Sequence, residues 1–398
     1  MNDSGGTGTS GTNAAGPRLS GMTPAELEAA LEAGLSGGDR PAGGAAVPPY
    51  RARQIFSRIA RGARSFGEIT GLPLPLRKTL AERFVIRGSR PAGVLEDRDG
   101  TVKLALALSG GVTVEAVLLP AVKDGGGKRT VTGGAGTVTS GGGGGGPEPG
   151  PRFTACLSTQ AGCPLGCVFC KTGSLGFSRN LDAGEIVEQF LYLSDLARDR
   201  GGRVSRIVVM GMGEPLLNLP ALRKALSILR HPSGAALSKR RITVSTSGVP
   251  EGIIDMAENG PEAELAFSLT SGREELRRRL MPGSAKHSLG DIQKALAVYR
   301  EKQGRRITLE AVLLGGINTA PEDAAALADF ARGLDAAVNL IPWNPVEGLS
   351  FGGTKLRPPD REECAAFTGM LERAGLSVTR RYRRGRGVAG ACGQLGSR

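Results

Sequence analysis

Three cysteines, Cys163, Cys167 and Cys170, stand at the spacing Cys-x3-Cys-x2-Cys on a stretch that reads Cys-Pro-Leu-Gly-Cys-Val-Phe-Cys-Lys. In a long chain, thiols packed this closely point to metal ligation rather than disulfide staples. Three thiolates suit an iron–sulfur core better than zinc, whose structural sites close a tetrahedron with four ligands. A four-iron cluster on three cysteines leaves one iron without a protein ligand, open to a small molecule. The glycine and proline between the thiols permit a tight loop whose backbone N–H groups face the sulfides. The competing reading is a buried or zinc-binding cysteine cluster. Two further thiols belong to the same inventory: Cys156, upstream of the motif, and Cys392, close to the C-terminus.

The elements that must position these residues alternate. After the cysteine motif, strands are predicted near 154–158, 205–210, 241–246, 263–269, 307–314 and 337–341. Helices are predicted near 182–199, 220–230, 251–258, 288–302, 321–332 and 360–374. This alternation implies an α/β fold: a parallel sheet with right-handed crossovers, curled into a partial (β/α)6 barrel. Chemistry in such folds collects at the C-terminal strand ends. Unusual segments fall there in turn: the cysteine loop, Gly211-Met-Gly-Glu-Pro215, Ser245-Thr-Ser-Gly248, Ser268-Leu-Thr-Ser-Gly272, Gly315-Gly-Ile-Asn318 and Pro342-Trp-Asn-Pro345. Backbone at Gly211 and Gly213 can approach a ligand closely. Glu214 could accept from an ammonium or ribose hydroxyl, Ser245 could hold a carboxylate, and Asn344 could read a purine edge. Taken singly, each is also explained by turn chemistry.

The rest of the chain divides by texture. Residues 1–21 read as a disordered N-terminus, and 36–47 as flexible, from their Gly, Pro and small polar content. Residues 22–90 read as a helical accessory module of RNA-binding type, with Thr23 as N-cap and Glu26 at the capping-box position. A solvated charged face explains its basic residues equally well. Residues 91–121 alternate around Asp-Gly and Gly-Gly turns, a small antiparallel β extension in which Glu115 is ordinarily an outward-facing carboxylate. A Gly-rich insertion, 122–150, is expected to be disordered. The barrel then spans 151–382, and a tail, 383–398, carries Cys392. Cys364 reads as core, and nothing is assigned to His231 or His287. The chain has no signal-peptide pattern and no run of about 18 apolar residues, so a cytoplasmic protein without a membrane partner is expected. The formal charge of +13 points to an anionic partner, nucleic acid first.

Together these marks resemble the radical S-adenosylmethionine superfamily and, more narrowly, the RlmN/Cfr family of RNA adenosine methyltransferases, the RlmN branch above all. The resemblance runs from about Tyr50 to the C-terminus on Tyr50-Arg-Ala-Arg-Gln54, Glu115-x-Val-x-Leu-Pro120, Cys156, the cluster motif, Gly176-Phe-x-Arg-Asn180, Gly211-Met-Gly-Glu-Pro-Leu-x-Asn218, Ile341-Pro-Trp-Asn-Pro345 and Ala391-Cys-Gly-Gln-Leu395. It implies a 4Fe-4S cluster on Cys163, Cys167 and Cys170 that chelates S-adenosylmethionine. Gly213, Glu214, Ser245, Ser268, Leu269, Thr270 and Asn344 would contact that cofactor. Cys392 would take a methyl group and, as a carbon radical, join it to C2 of an adenine. Cys156 would release the product and form a disulfide with Cys392, and Glu115 would accept the proton. The implied partners are 23S ribosomal RNA, with transfer RNA as a second candidate, and an electron donor of the flavodoxin type; a monomer is implied.

The chain departs from the family pattern at three places. Thr270 stands where the family has histidine, no acidic residue precedes Cys392 in Gly387-Val-Ala-Gly-Ala391, and the Gly-rich insertion separates Glu115 from Cys156. Two alternatives stay open: methylation at C8, as in the Cfr branch, and a degenerate iron–sulfur protein that binds RNA or senses redox state without turnover.

Overall fold

The computed structural model describes residues 16–35, 48–123, 129–131, 138–139, 150–284, 286–381 and 384–396. Most of the N-terminal stretch expected to be disordered, all of 36–47 and most of the Gly-rich insertion lie outside the described residues. Residues 16–21 correct the first of those expectations. Leu19 N–H donates to Val85 O and Ser20 N–H to Ile86 O, at 2.9 and 3.1 Å. Leu19 is buried, so an apolar anchor holds this short segment in place.

Helices α1 (Pro24–Gly34), α2 (Pro49–Ala60) and α3 (Leu74–Arg83) follow. Thr23 and Glu26 form the expected capping box on α1. On α2, Ala52, Ile55, Phe56 and Ile59 bury one face, the spacing that a 3.6-residue period requires. That helix packs against α1 and its buried face also reaches the barrel. Phe56 and Ile59 share a small cavity with Val187 and Phe190 of α4 (Ala183–Asp199). The helical module and the barrel therefore share one hydrophobic core.

A polar contact fixes the same junction. Glu188 on α4 is fully buried, and its carboxylate accepts from Ser20 Oγ at 2.6 Å, from the N–H groups of Gly88 and Ser89 at 2.8 Å, and from Ser89 Oγ. Glu188→Gln keeps the volume but removes the charge that strengthens these bonds. It is expected to cost about 1–3 kcal/mol, read as a lower urea midpoint with an unchanged slope.

Strands β1 (Arg90–Glu96), β2 (Val102–Ala107) and β3 (Thr113–Pro120) form the expected antiparallel meander. They do not stand as a separate sheet. β3 pairs antiparallel with β4 (Arg152–Cys156), with Val117 opposite Cys156, and so extends the edge of the parallel sheet. A short antiparallel pair, β5 (Gln160–Gly162) and β6 (Phe177–Asn180), closes the base of the cysteine loop. The parallel strands continue with β7 (Arg203–Val209), β8 (Ile242–Thr246), β9 (Glu264–Ser268), β10 (Ile307–Leu313), β11 (Ala336–Pro342) and β12 (Ser377–Arg380).

The ten-stranded sheet runs β1-β2-β3-β4-β7-β8-β9-β10-β11-β12, open at both edges, with α5 (Leu219–Arg230), α6 (Pro250–Asn259), α7 (Leu289–Gln303), α8 (Pro321–Ala331) and α9 (Arg361–Arg373) on the crossovers. Six of the parallel strands match the expected partial barrel. β12 was not expected: Ser-Val-Thr-Arg has too little apolar content to register as a strand. It extends the sheet beyond β11 and places the chain beside the strand ends. Among the described residues no helix is long and apolar enough to cross a membrane.

Candidate active site

The cysteine loop leaves β5 and returns along β6. Gly162 takes φ +77°, and a Cβ there would lie 2.0 Å from Gly176 O, so only glycine allows the loop to close. Cys163 N–H donates to Gly176 O at 2.8 Å. Cys163, Cys167 and Cys170 then line one wall of a cavity of about 180 Å³ at the strand ends. Opposite walls come from Gly211, Gly213 and Glu214 after β7, Ser245–Ser247 at the end of β8, Ser268 and Thr270 at β9, Glu310 on β10 and Asn344 after β11. Five of the six predicted strand-end segments thus line one cavity, as the rule for parallel barrels requires; Gly315-Gly-Ile-Asn318 does not, and Asn318 acts instead through Thr270, whose carbonyl it holds.

Within it the motif Gly-Met-Gly-Glu-Pro is tightly braced. Gly213 takes φ +99°, and an added Cβ would come within 2.5 Å of the Gln160 side chain. Gln160 Oε1 accepts from Glu214 N–H at 2.8 Å. The buried Glu214 carboxylate accepts from Ser247 N–H and Oγ at 2.9 and 2.7 Å, and from Leu216 N–H at 3.1 Å. Burial pushes its pKa up, against those hydrogen bonds. Ser245 Oγ and Ser268 Oγ lie 3.4 Å apart.

Leu269 departs from expectation. Its side chain is fully buried in the core and does not line the cavity. Its amide, and that of Thr270, both point to Glu310 O, at 2.9 and 3.2 Å. At Thr270 it is therefore the side chain that is free: Oγ1 is buried with no partner among the described residues. Thr270 also sits at φ +58°, a strained setting for a β-branched residue, held by Asn318 Nδ2 donating to its carbonyl at 2.9 Å.

Do these residues fit a cluster with a bound amino acid nucleoside? Two observations say that they do. First, Cys163, Cys167 and Cys170, whose spacing suits an iron–sulfur core, line one wall of a single cavity. Second, Thr270 Oγ1, Glu310 Oε1 and Asn344 Oδ1 are buried polar atoms without partners among the described residues, and all three residues line the same cavity. Buried polar atoms are normally satisfied, so a polar ligand is the simplest completion. Burial pushes the Cys163 thiol up to about 12 and raises Cys167 and Cys170 as well.

Arg277, which nothing in the run of three arginines singles out, supplies positive charge beside Cys167. It is buried, donates to Leu269 O and Ser247 O at 3.2 and 2.5 Å, and burial brings its pKa down to about 10. Ser247, Arg277 and Glu310 were not foreseen as site residues. Ser247 lies in a strand-end segment that the sequence singled out, without being picked from it, whereas Arg277 and Glu310 lie on ordinary segments that only the fold brings to the cavity.

A second cavity opens beside the first. Cys156, Met210, Asn344, Arg381, Arg384 and Cys392 line it, and Cys392 lines both. All six cysteines are free thiols, and Cys364 is packed in the core. Burial pushes the Cys156 thiol up to about 12, with Cys392 adding to the shift and Arg381 opposing it.

The tail that carries Cys392 is sewn down. Lys171 N–H donates to Gly393 O and Thr172 Oγ1 to Leu395 O, both at 2.7 Å. Asn344 Nδ2 donates to Cys392 O at 3.1 Å, and Gln394 Nε2 to Pro345 O at 2.9 Å. Asn344 thus grips the backbone of Cys392 and keeps its Oδ1 for the cavity.

Glu115 corrects another expectation. Its carboxylate does not face outward: it is buried, 3.0 Å from Lys103 Nζ, and accepts from Gly396 N–H at 2.6 Å. It lines neither cysteine cavity but a third, with Phe177 and Met212, on the other side of the tail. The structure brings Glu115 to the tail, not into contact with either thiol.

The profile of the radical SAM superfamily matches residues 157–331. The probable dual-specificity RNA methyltransferase RlmN of Treponema denticola is 44% identical over 379 residues, covering 95% of this chain and 95% of that protein. The dual-specificity RNA methyltransferase RlmN of Sorangium cellulosum is 44% identical over 354 residues, 87% of this chain and 90% of the relative. A crystal structure of a radical SAM methyltransferase from Sphaerobacter thermophilus superposes with a TM-score of 0.81 at 35% identity, covering 96% of this chain and 99% of that one.

Proposed function

The chain belongs to the RlmN family of radical SAM RNA methyltransferases, and from that premise we propose that it methylates C2 of adenosine in 23S ribosomal RNA and in transfer RNA, with Cys392 as carrier and Cys156 as the releasing thiol. The observation that carries this reading is that Cys392 lines both cavities: the one walled by Cys163, Cys167 and Cys170, and the one it shares with Cys156. A sulfur there can take up a carbon unit on one side and be attacked on the other.

Cys163, Cys167 and Cys170 would hold a 4Fe-4S cluster, and Gly213, Glu214, Ser245, Ser268, Thr270 and Asn344 the S-adenosylmethionine beside it. Bound there, this pair would supply an electrophilic methyl group and, after one-electron reduction, a 5′-deoxyadenosyl radical. An aromatic C2 is electrophilic, so displacement from a sulfonium cannot methylate it; a carbon radical on the Cys392 sulfur avoids that obstacle. Asn344 and the bonds to Gly393 and Leu395 hold Cys392 in place for both roles. Cys156, buried beside it, is the nucleophile that frees the product. Glu115 would accept the proton of C2, and its carboxylate would first exchange the Gly396 amide for substrate. A flavodoxin-type donor is the proposed electron source, and the proposed active form is a monomer.

Nucleoside analysis of RNA from cells with and without the gene tests this reading. The expected result is 2-methyladenosine present only with the gene. 8-Methyladenosine would assign the chain to Cfr-type chemistry, and no change in either nucleoside would leave the degenerate iron–sulfur protein.

A further inference from the structure

A guanidinium lines the cavity that Cys156 and Cys392 share. Arg381 follows β12; its backbone N–H donates to Leu340 O at 2.9 Å, and its Nη1 lies 3.8 Å from Met210 Sδ. The side chain lines both cavities, beside Cys392 in each and beside Cys156 in one. Among the described residues, no carboxylate lies within ion-pair distance of it. Glu310, whose charge it feels, gives one oxygen to Asn339 Nδ2 at 2.7 Å, and the other oxygen has no partner. An arginine placed here for fold stability alone would be expected to claim that carboxylate.

Of the other groups around Cys156, only a backbone hydrogen bond at Met210 works in the same direction as the cation. From β3, Glu115 is engaged by Lys103 and Gly396. From the tail, Arg384 directs its guanidinium to Pro120 O. β7 and the end of β11 bring Met210 and Asn344, which carry no charge.

We propose that Arg381 is the positioning residue of the release step, steadying the Cys156 sulfur as a thiolate that faces Cys392. This rests on the function proposed above. In that step the Cys156 thiolate forms a sulfur–sulfur bond with Cys392, and the bond from the Cys392 sulfur to the bridging methylene breaks. The electron pair of the broken bond goes to the methylene carbon, which takes up a proton, balancing the one Cys156 gave up, and becomes the product methyl. The two sulfurs are oxidised and the carbon is reduced. Attack requires the thiolate, and Cys156 is a buried thiol in which Arg381 is the leading influence toward ionisation.

The test is a single-turnover reaction of cluster-loaded enzyme, S-adenosylmethionine, reductant and RNA, comparing wild type, Arg381→Lys, Arg381→Met and Cys156→Ala. Denaturing gels follow the protein–RNA adduct, and peptide mass analysis follows S-methylation of Cys392. In Arg381→Met, the S-methyl still forms while the adduct decays about tenfold more slowly, with its pH profile displaced to higher pH. Arg381→Lys restores most of the rate. Decay at the wild-type rate and pH profile in Arg381→Met overturns the inference alone. A complete absence of adduct, in Cys156→Ala as well, overturns the underlying reading with it. A second measurement needs no turnover: iodoacetamide alkylation of Cys156 against pH should move upward in Arg381→Met and far less in Arg381→Lys, and coincident curves for all three proteins would equally overturn it.

Discussion

Replacing either of the two thiols should stop the reaction, but at opposite ends. Cys392→Ala, loaded with cluster and given S-adenosylmethionine, reductant and RNA, is expected to form neither methylated adenosine nor any protein–RNA adduct. Cys156→Ala should form the adduct at a level approaching one per chain, and then stall. Released product should fall by about 10³-fold or more in both, the scale on which losing an essential nucleophile is felt. The difference lies in geometry: Cys392 faces both cavities, whereas Cys156 faces only the one they share. The measurement is a denaturing gel with labelled RNA together with nucleoside analysis. Product from either variant at the wild-type rate would remove the covalent route. Neither substitution should unfold the chain, since Cys392 is only partly buried and Cys156 loses one sulfur from a site already bordered by a cavity.

The cysteine loop and the strand-end segments were legible from the residues themselves, whereas the proposed roles of Cys156, Cys392 and Glu115 came only through the family resemblance. Cysteine spacing, and glycines that a Cβ would block, are local signals, and Gly213 against Gln160 is a direct instance. The alternation of strands and helices was equally plain, because strands buried on both faces read as apolar runs. What the sequence did not reveal depends on contacts far apart in the chain. Arg381 and Arg277 look like members of basic runs, and only the fold turns one toward Cys156 and the other toward Cys167. Glu115 looked like a solvent-facing strand residue; its ion pair with Lys103 arises from the register of β2 against β3. How the helical module and the barrel adjoin was not legible either, since amphipathic periodicity tells that a face is buried but not against what. Here α2 packs on α1 and reaches α4, with Glu188 binding Ser20, Gly88 and Ser89 across the junction.

Glu214→Ala is expected to weaken S-adenosylmethionine binding by about 10²–10³-fold, the loss of one to two charge-assisted hydrogen bonds. The carboxylate has two duties. It braces the strand ends through Ser247 and Leu216, and the ligand's ammonium would be its counter-charge. Glu214→Gln keeps most of the bracing volume but not the charge, so it should lose less in stability than in affinity. That split, read by thermal unfolding beside equilibrium dialysis of the cluster-loaded enzyme, separates the two duties; equal affinity for wild type and Glu214→Gln would rule out the ammonium contact. The pH dependence has a definite sign. Burial raises the pKa of Glu214 above the ordinary 4.5. Its contribution to apo stability is therefore fully present below pH 4.5 and is lost as pH rises through the raised folded value. Ligand binding runs the other way, because only the ionised carboxylate pairs with an ammonium. Affinity should fall on acidification at a pH above that of a free glutamate, and the stabilisation conferred by S-adenosylmethionine should grow with pH as that of the apo carboxylate declines. A site that is costly to the empty fold and restored by its ligand is what a binding carboxylate, rather than a structural one, produces.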